Sequence, residues 1–305
     1  MLGIKRFRWK GFFTNLNRKL NETDVFGNAA KVAFYFSFAF FPLVLFLLTL
    51  GGIILGSADS IQRHLYLYLA DVMPPSAFDL VQTTLREVIS NSTGGKLTIG
   101  LLVTLWSASA GVDSVRDALN GVYEVDEDRA WWKRKLQSLL VTLLFILLVG
   151  IALVTVTAGI HAMHSLVWLI GFDIETPWIL IGIQWICLFA VMYVATAIIY
   201  SLLPNFTKFH WVWVSPGSGV AVVLWLLSTG GFKLYLSFFN SYDKTYGSLG
   251  AVIILMLWMY LTALAILIGG AINSVLTEMS SGSGAAKAQE GEKEHQIRKL
   301  KKRQK

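Results

Sequence analysis

Charge is scarce in this sequence. Asp, Glu, Lys and Arg make up only 15% of the 305 residues, where a soluble domain carries about 25%. Hydrophobic residues make up 55%, and the mean hydropathy is +0.58. That balance excludes a large soluble enzyme and indicates an integral membrane protein. Cysteine occurs once, at Cys187 in an apolar run. It excludes an internal disulfide and reads as an inert, buried thiol. Histidine is also sparse: His64, His161, His164, His210 and His295. Only His161 and His164 are close enough to share a helical face, so no clustered metal site is expected. There is no Gly-Lys-Ser/Thr phosphate loop, zinc-ligand spacing or nucleophile elbow. ATP-driven transport within this chain, enzymatic catalysis and a bound cofactor are therefore not expected.

Long uncharged runs are what the sequence has in abundance. Residues 32–58 carry no charge at all. A helix needs about 20 apolar residues to cross a bilayer core of about 30 Å. Basic residues precede this run, as in a signal peptide. The run is too long for a signal-peptide core and no small-x-small site closes it, so an uncleaved first span is expected at about 29–56. Further spans are expected at about 97–121, 136–160, 178–203, 211–236 and 247–276. The fold class is all-α: a polytopic membrane protein of six transmembrane helices with added amphipathic interfacial helices.

Those added helices fall in two places. Phe12, Leu16 and Leu20 recur at i, i+4 and i+8 within the basic, aromatic segment 1–28. This suits a helix lying on an anionic leaflet; a solvated basic tail is the alternative. Residues 59–72 and 77–90 flank a Met-Pro-Pro-Ser break and mix apolar and polar residues at helical spacing. They read as surface helices over the outer mouth, or as a plain connecting loop. Residues 277–305 are charged and poor in apolar side chains, so a disordered basic tail is expected.

Orientation follows from Lys and Arg. Of the 26, twenty fall on the side of the two termini, four on the other, and Arg116 and Lys233 lie within spans. Both termini are expected in the cytoplasm, in a bacterial inner membrane. The net charge of +7 thus marks anionic lipid head groups as partners, not nucleic acid. A cysteine placed at Ser283 should be labelled from the inside and one at Ser92 from the outside; reversed labelling would overturn the orientation.

Two stretches carry a resemblance. One is WSASAGVDSVRDALNGVYEVDEDRAWWKRKL, residues 106–136; the other covers residues 215–273 and contains NSYDKTYGSLG at 240–250. With Ala33, Tyr35 and Phe41-Pro42-Leu43 in the first span, they resemble the YihY/BrkB family of bacterial inner-membrane proteins. The likeness extends over residues 28–276. Two features depart from the family pattern. Ala271 stands where members often carry an acid, and Asp113 and Asp117 stand where small or apolar residues are usual. The resemblance implies an old ribonuclease BN label and an association with export of envelope components, lipids included. A metal-dependent nuclease needs clustered ligands at a wet site, and His161 and His164 fall at the non-cytoplasmic end of the third span, away from RNA. Export fits the residues better.

Polar residues inside a span are costly and are functional candidates by default. Residues 97–112 alone would cover only about 24 Å, so the second span must continue through Asp113, Arg116, Asp117, Asn120 and Tyr123. Their spacings of three and four let neighbours meet along one helix. Either they form a polar patch that receives a head group or a proton, or they are a helix end with surface ion pairs. Pro42, Pro216 and Gly217 are candidate hinges, or packing features. Asn240, Tyr242, Tyr246 and Gly247 are candidate gating residues at the outer mouth, or a hairpin with aromatic anchors. Lys233 reads as a snorkelling lysine. Glycines 51–52, 217, 219, 230–231 and 269–270 suit tight helix contacts. The expected function is a transporter or flippase-like protein for an amphipathic substrate, a lipid or lipid-linked envelope precursor. The alternative is a membrane assembly or scaffold protein.

Overall fold

A computed structural model describes residues 9–54, 94–157, 177–206, 215–238 and 248–280. The expected surface helices at 59–90, the candidates Asn240, Tyr242, Tyr246 and Gly247, and the tail from 281 onward lie outside the described residues.

The described residues form seven α-helices: α1 (Trp9–Glu22), α2 (Val25–Ile54), α3 (Gly94–Tyr123), α4 (Trp131–Thr157), α5 (Pro177–Leu202), α6 (Pro216–Phe238) and α7 (Ser248–Ser280). No strand occurs among them. Among the described residues, four stretches are long and apolar enough to cross a membrane: Trp131–Ala152, Ile181–Leu202, Pro216–Leu236 and Val252–Ser280. These four do not by themselves confirm the expected six. α2 and α3 are each 30 residues long, and α3 carries Asp113, Arg116 and Asp117 within its length.

α1 ends where Thr23 and Asp24 turn the chain. Asp24 adopts a left-handed conformation (φ 44°), and its carboxylate accepts the Gly27 N–H at 3.2 Å, capping α2. α2 runs through Pro42 to Ile54 as one helix. α6 begins with Ser215, whose Oγ accepts the Ser218 N–H at 3.0 Å. Pro216 occupies the next position, where a missing N–H costs nothing. It therefore starts a helix and does not interrupt one.

The helices close a ring. α2 packs on α3, α3 on α4, α4 on α5, α5 on α6, α6 on α7 and α7 back on α2, with α3 also touching α7. Burial concentrates at one end of this ring. The core comprises Val25, Ala29 and Val32 of α2, Val115, Leu119 and Val122 of α3, Ile198–Leu203 of α5, and Ala263, Leu267 and Ala271 of α7. These are the helix ends that the charge distribution assigns to the cytoplasm. At the other end, large apolar side chains such as Leu102, Ile186, Leu227 and Ile253 are exposed.

Glycine makes the α6–α7 crossing. A Cβ on Gly217 would meet the Gly269 carbonyl and the Asn273 side chain, and one on Gly269 would meet the Tyr200 hydroxyl and the Gly217 carbonyl. Without a hydrophobic drive between helices in lipid, such close approach supplies the packing energy. Gly219, Gly230 and Gly231 have open space around them instead. The expectation of tight contacts therefore holds for Gly217, Gly269 and Gly270 and fails for those three.

Candidate functional site

The polar patch of α3 lies at the buried end of the ring. Arg116 is 4% exposed. Its Nη1 donates to Asp113 Oδ1 at 2.8 Å, to Ser138 Oγ at 2.8 Å and to the Arg134 carbonyl at 3.3 Å. Its Nη2 donates to Asp117 Oδ1 at 3.3 Å. Ser138 Oγ donates in turn to Asp113 Oδ1 at 2.5 Å. Lys135 completes the cluster from α4: its Nζ donates to Ser109 Oγ at 2.6 Å and to Asp113 Oδ2 at 3.1 Å. The same ammonium lies 4.4 Å from the centre of the Trp106 ring, a favourable cation–π distance. An Arg between two carboxylates lowers the cost of burying its charge.

Helical spacing suggests that Arg116 meets Asn120 and that Asn120 meets Tyr123. The structure corrects both pairings. Asn120, 6% exposed, donates to Glu127 Oε2 at 2.8 Å and accepts the Asn205 N–H at 2.9 Å. Tyr123 packs edge-on against Phe206, with ring centroids 5.1 Å apart. Asn120 turns towards the following loop and the segment after α5, and Tyr123 towards that segment and Asn273 of α7.

The loop 124–130 bolts α3 to α5. Glu127 accepts from Arg129 Nε at 2.7 Å and from Arg129 Nη2 at 2.6 Å, a two-pronged pair. Arg129 Nη2 also donates to the Leu203 carbonyl at 3.0 Å, and Gln137 donates to the Leu202 carbonyl. These two side chains satisfy carbonyls at the end of α5 that have no partner within the helix. A cation at that end also suits the helix dipole.

Partial burial alone would raise the Glu127 carboxyl; the hydrogen bonds from Arg129 and Asn120 and the Arg129 charge outweigh it and hold the group down at about 2. Its ordinary value is 4.5. Because the folded carboxyl ionises at lower pH than the unfolded one, its contribution is present above pH 4.5 and is lost as pH falls towards 2. Glu127→Gln should therefore flatten the loss of thermal stability across that acid window. Melting curves taken through it check this, and an unchanged acid profile would contradict it.

A second polar group ties α5, α6 and α7. Asn273 Oδ1 accepts the Gly217 N–H at 2.8 Å, and Asn273 Nδ2 donates to Ser215 Oγ at 2.9 Å. Tyr193 Oη accepts the Ser215 N–H at 3.0 Å, and Tyr200 Oη donates to the Ile266 carbonyl at 2.6 Å.

A third group involves α1. Lys19, 2% exposed, donates to Glu124 Oε1 at 2.8 Å and to Glu278 Oε1 at 2.6 Å. Glu124 holds a left-handed conformation (φ 53°) directly after α3. The Val125 N–H reaches the Asn120 carbonyl at 3.0 Å and the Glu124 N–H the Gly121 carbonyl at 3.1 Å, the pattern that ends helices with a glycine at this place. A side chain there costs roughly 1–2 kcal/mol. The Lys19 pair gives that side chain a use.

Of the α3 candidates, Asp113, Arg116 and Asp117 come together directly, Asn120 joins through Glu127, and Tyr123 belongs instead with Asn273 of the second polar group. Pro216 and Gly217 lie at the α6–α7 crossing. Ser138, Lys135, Glu127, Arg129, Gln137, Asn205, Asn273 and Lys19 were missed as site residues. Gln137 and Ser138 do stand out as polar residues opening an otherwise apolar run. No group of His, Cys, Asp or Glu suited to a metal occurs among the described residues.

An all-helical membrane protein whose buried, paired charges gather at one end, among the described residues, is the class that fold and site define. The chain belongs to the Virulence factor BrkB family, which matches residues 16–294. It is 30% identical over 248 residues to the ribonuclease-like protein YfkH of Bacillus subtilis, covering 81% of this chain and 88% of that one. It is 27% identical over 268 residues to a UPF0761 membrane protein of Vibrio campbellii, covering 88% of this chain and 82% of that one. No solved structure matches.

Proposed function

We propose that this protein is a bacterial inner-membrane transporter or flippase-like protein for an anionic amphipath, a lipid or lipid-linked envelope precursor. The observation that carries the reading is Arg116: a charged side chain, 4% exposed, set in a long helix of a membrane protein. An Arg on a helix in the bilayer centre costs roughly 2.5–3.5 kcal/mol on insertion scales, so it calls for an explanation. Its guanidinium can offer a phosphate two parallel donors. Asp113 and Asp117 occupy those donors at rest, with Asp117 half-exposed and so placed to give way. Asn120 supplies a neutral amide nearby. Both termini lie in the cytoplasm in this reading, and the protein is not an enzyme.

A second reading, a non-transport assembly or scaffold protein, is favoured by one specific observation. Ser138 and the Arg134 carbonyl also hold Arg116, and a guanidinium that ties α3 to α4 in this way suits a structural bolt.

Proteoliposomes carrying a head-group-labelled fluorescent phospholipid separate the two. The transport reading expects rapid loss of inner-leaflet fluorescence to an external reductant with the native chain. It expects reduced loss with Arg116→Lys and altered loss with Asp117→Asn, each checked for folding by its melting curve. A native chain that moves no more lipid than empty vesicles would favour the scaffold.

A further inference from the structure

The outer side of α1 is not accounted for by the packing of the bundle. One side of α1 is docked. Phe12 packs with Ile272 and Val275 of α7, with Leu16, Leu276 and Met279 around them. Asn15 and Lys19 are buried on the same side. Trp9 and Phe13 point elsewhere and are 64% and 60% exposed. They lie four residues apart and so share a face, with ring centroids 6.2 Å apart and nearly parallel planes. Beyond them around the helix come exposed Lys10, Asn17 and Asn21 and half-exposed Arg18.

Depth decides what meets this face. α1 docks on the last turns of α7, a helix whose apolar stretch runs Val252–Ser280. About 20 residues suffice to cross the hydrocarbon core, so residues 272–279 are at or beyond its edge. Lys19 binds Glu124, just past the end of α3, and Glu278, near the end of α7. α1 is therefore held at the level of the head groups. A stacked Trp and Phe with a basic flank match the chemistry of an anionic leaflet, where amphipathic aromatics rest at the interface and cations meet lipid phosphate.

We propose that α1 is a leaflet-binding helix. The Trp9–Phe13 face enters the boundary between head groups and acyl chains of an anionic leaflet. Lys19 takes no part in lipid binding, although it belongs to the basic terminus. It is the latch that keeps the docked side on α3 and α7. The Glu124 side chain, retained where a helix end favours glycine, is the other half of that latch. This inference does not depend on the transport reading.

The test uses the full chain with Cys187→Ser and an environment-sensitive dye on Phe13→Cys, in vesicles of phosphatidylcholine with and without phosphatidylglycerol. A nitroxide carried high on a lipid chain should quench the dye strongly and aqueous iodide weakly. A dye on Asn21→Cys should show the reverse. Adding phosphatidylglycerol should raise lipid quenching at position 13 several-fold. Iodide quenching at position 13 equal to that at position 21 would overturn the proposal. So would a dye that neither quencher reaches, which would mean a second protein copy covers the face. Quenching indifferent to phosphatidylglycerol would overturn the commitment to an anionic leaflet. For the latch, Phe12→Cys, buried in the native chain, should resist thiol reagent and become reactive when Lys19→Ala is added. Unchanged reactivity would refute it.

Discussion

Replacing Arg116 by alanine should destabilise the protein by about 3 kcal/mol, near the lower end of the range for breaking a buried ion pair. The change removes the donors to Asp113, Asp117, Ser138 and the Arg134 carbonyl together. Asp113 keeps Lys135 at 3.1 Å and Ser138, so its charge is not orphaned, which limits the loss. Asp117 is half-exposed and water compensates it; an exposed pair is worth about 0–1 kcal/mol. The cost therefore comes from the buried part: the Ser138 hydroxyl, the Arg134 carbonyl and the Asp113 oxygen. Arg116→Lys should recover part of it, because one ammonium reaches Asp113 but cannot span Ser138 and Asp117 as a planar fork does. Asp117→Asn should cost under about 1 kcal/mol. Denaturant unfolding of the purified protein followed by tryptophan fluorescence checks the order. If Arg116→Ala costs no more than Asp117→Asn, the cluster does not hold the end of the ring together.

Hydropathy made the helices legible because it is a local property. An uncharged run such as that from residue 32 reads as a helix whatever it packs against. The α3 patch was legible as residues, since charge in an otherwise apolar context stands out. Its wiring was not. Arg116 finds Ser138, and Asn120 finds Asn205, 85 residues away; helical spacing contains neither distance. Lys19 is the sharper case. In sequence it is one more cation in a basic terminus, and charge counting treats it as such. Its partners stand 105 and 259 residues away, and only the docking of Phe12 on α7 brings it to them. Ser215-Pro216 is open to a local reading that the expected span does not use: a Ser before a Pro marks a helix start, whereas the span is expected from 211 with Pro216 as a hinge or packing feature.

Gly269→Ala should destabilise the protein by about 1–3 kcal/mol, the usual cost of overpacking a filled interior. The added Cβ would lie 2.8 Å from Ala221 Cβ and against the Gly217 carbonyl. A carbonyl is backbone and cannot turn aside, so α6 and α7 must separate. Their separation stretches the Gly217 N–H bond to Asn273, now 2.8 Å. The same Cβ also presses on the Tyr200 hydroxyl, which is bonded to the Ile266 carbonyl at 2.6 Å. One methyl group therefore strains the contacts of three helices. Gly217→Ala should behave alike, because its Cβ would meet the Gly269 carbonyl and Asn273. Gly230→Ala is the matched control on α6. Nothing lies within 4 Å of its Cβ position, and Ala is favoured over Gly inside a helix by roughly 0.5–1 kcal/mol. The two changes add the same atom to glycines of the same helix pair, yet should move the melting temperature in opposite directions. Equal shifts would mean that α6 and α7 do not cross at Gly217 and Gly269.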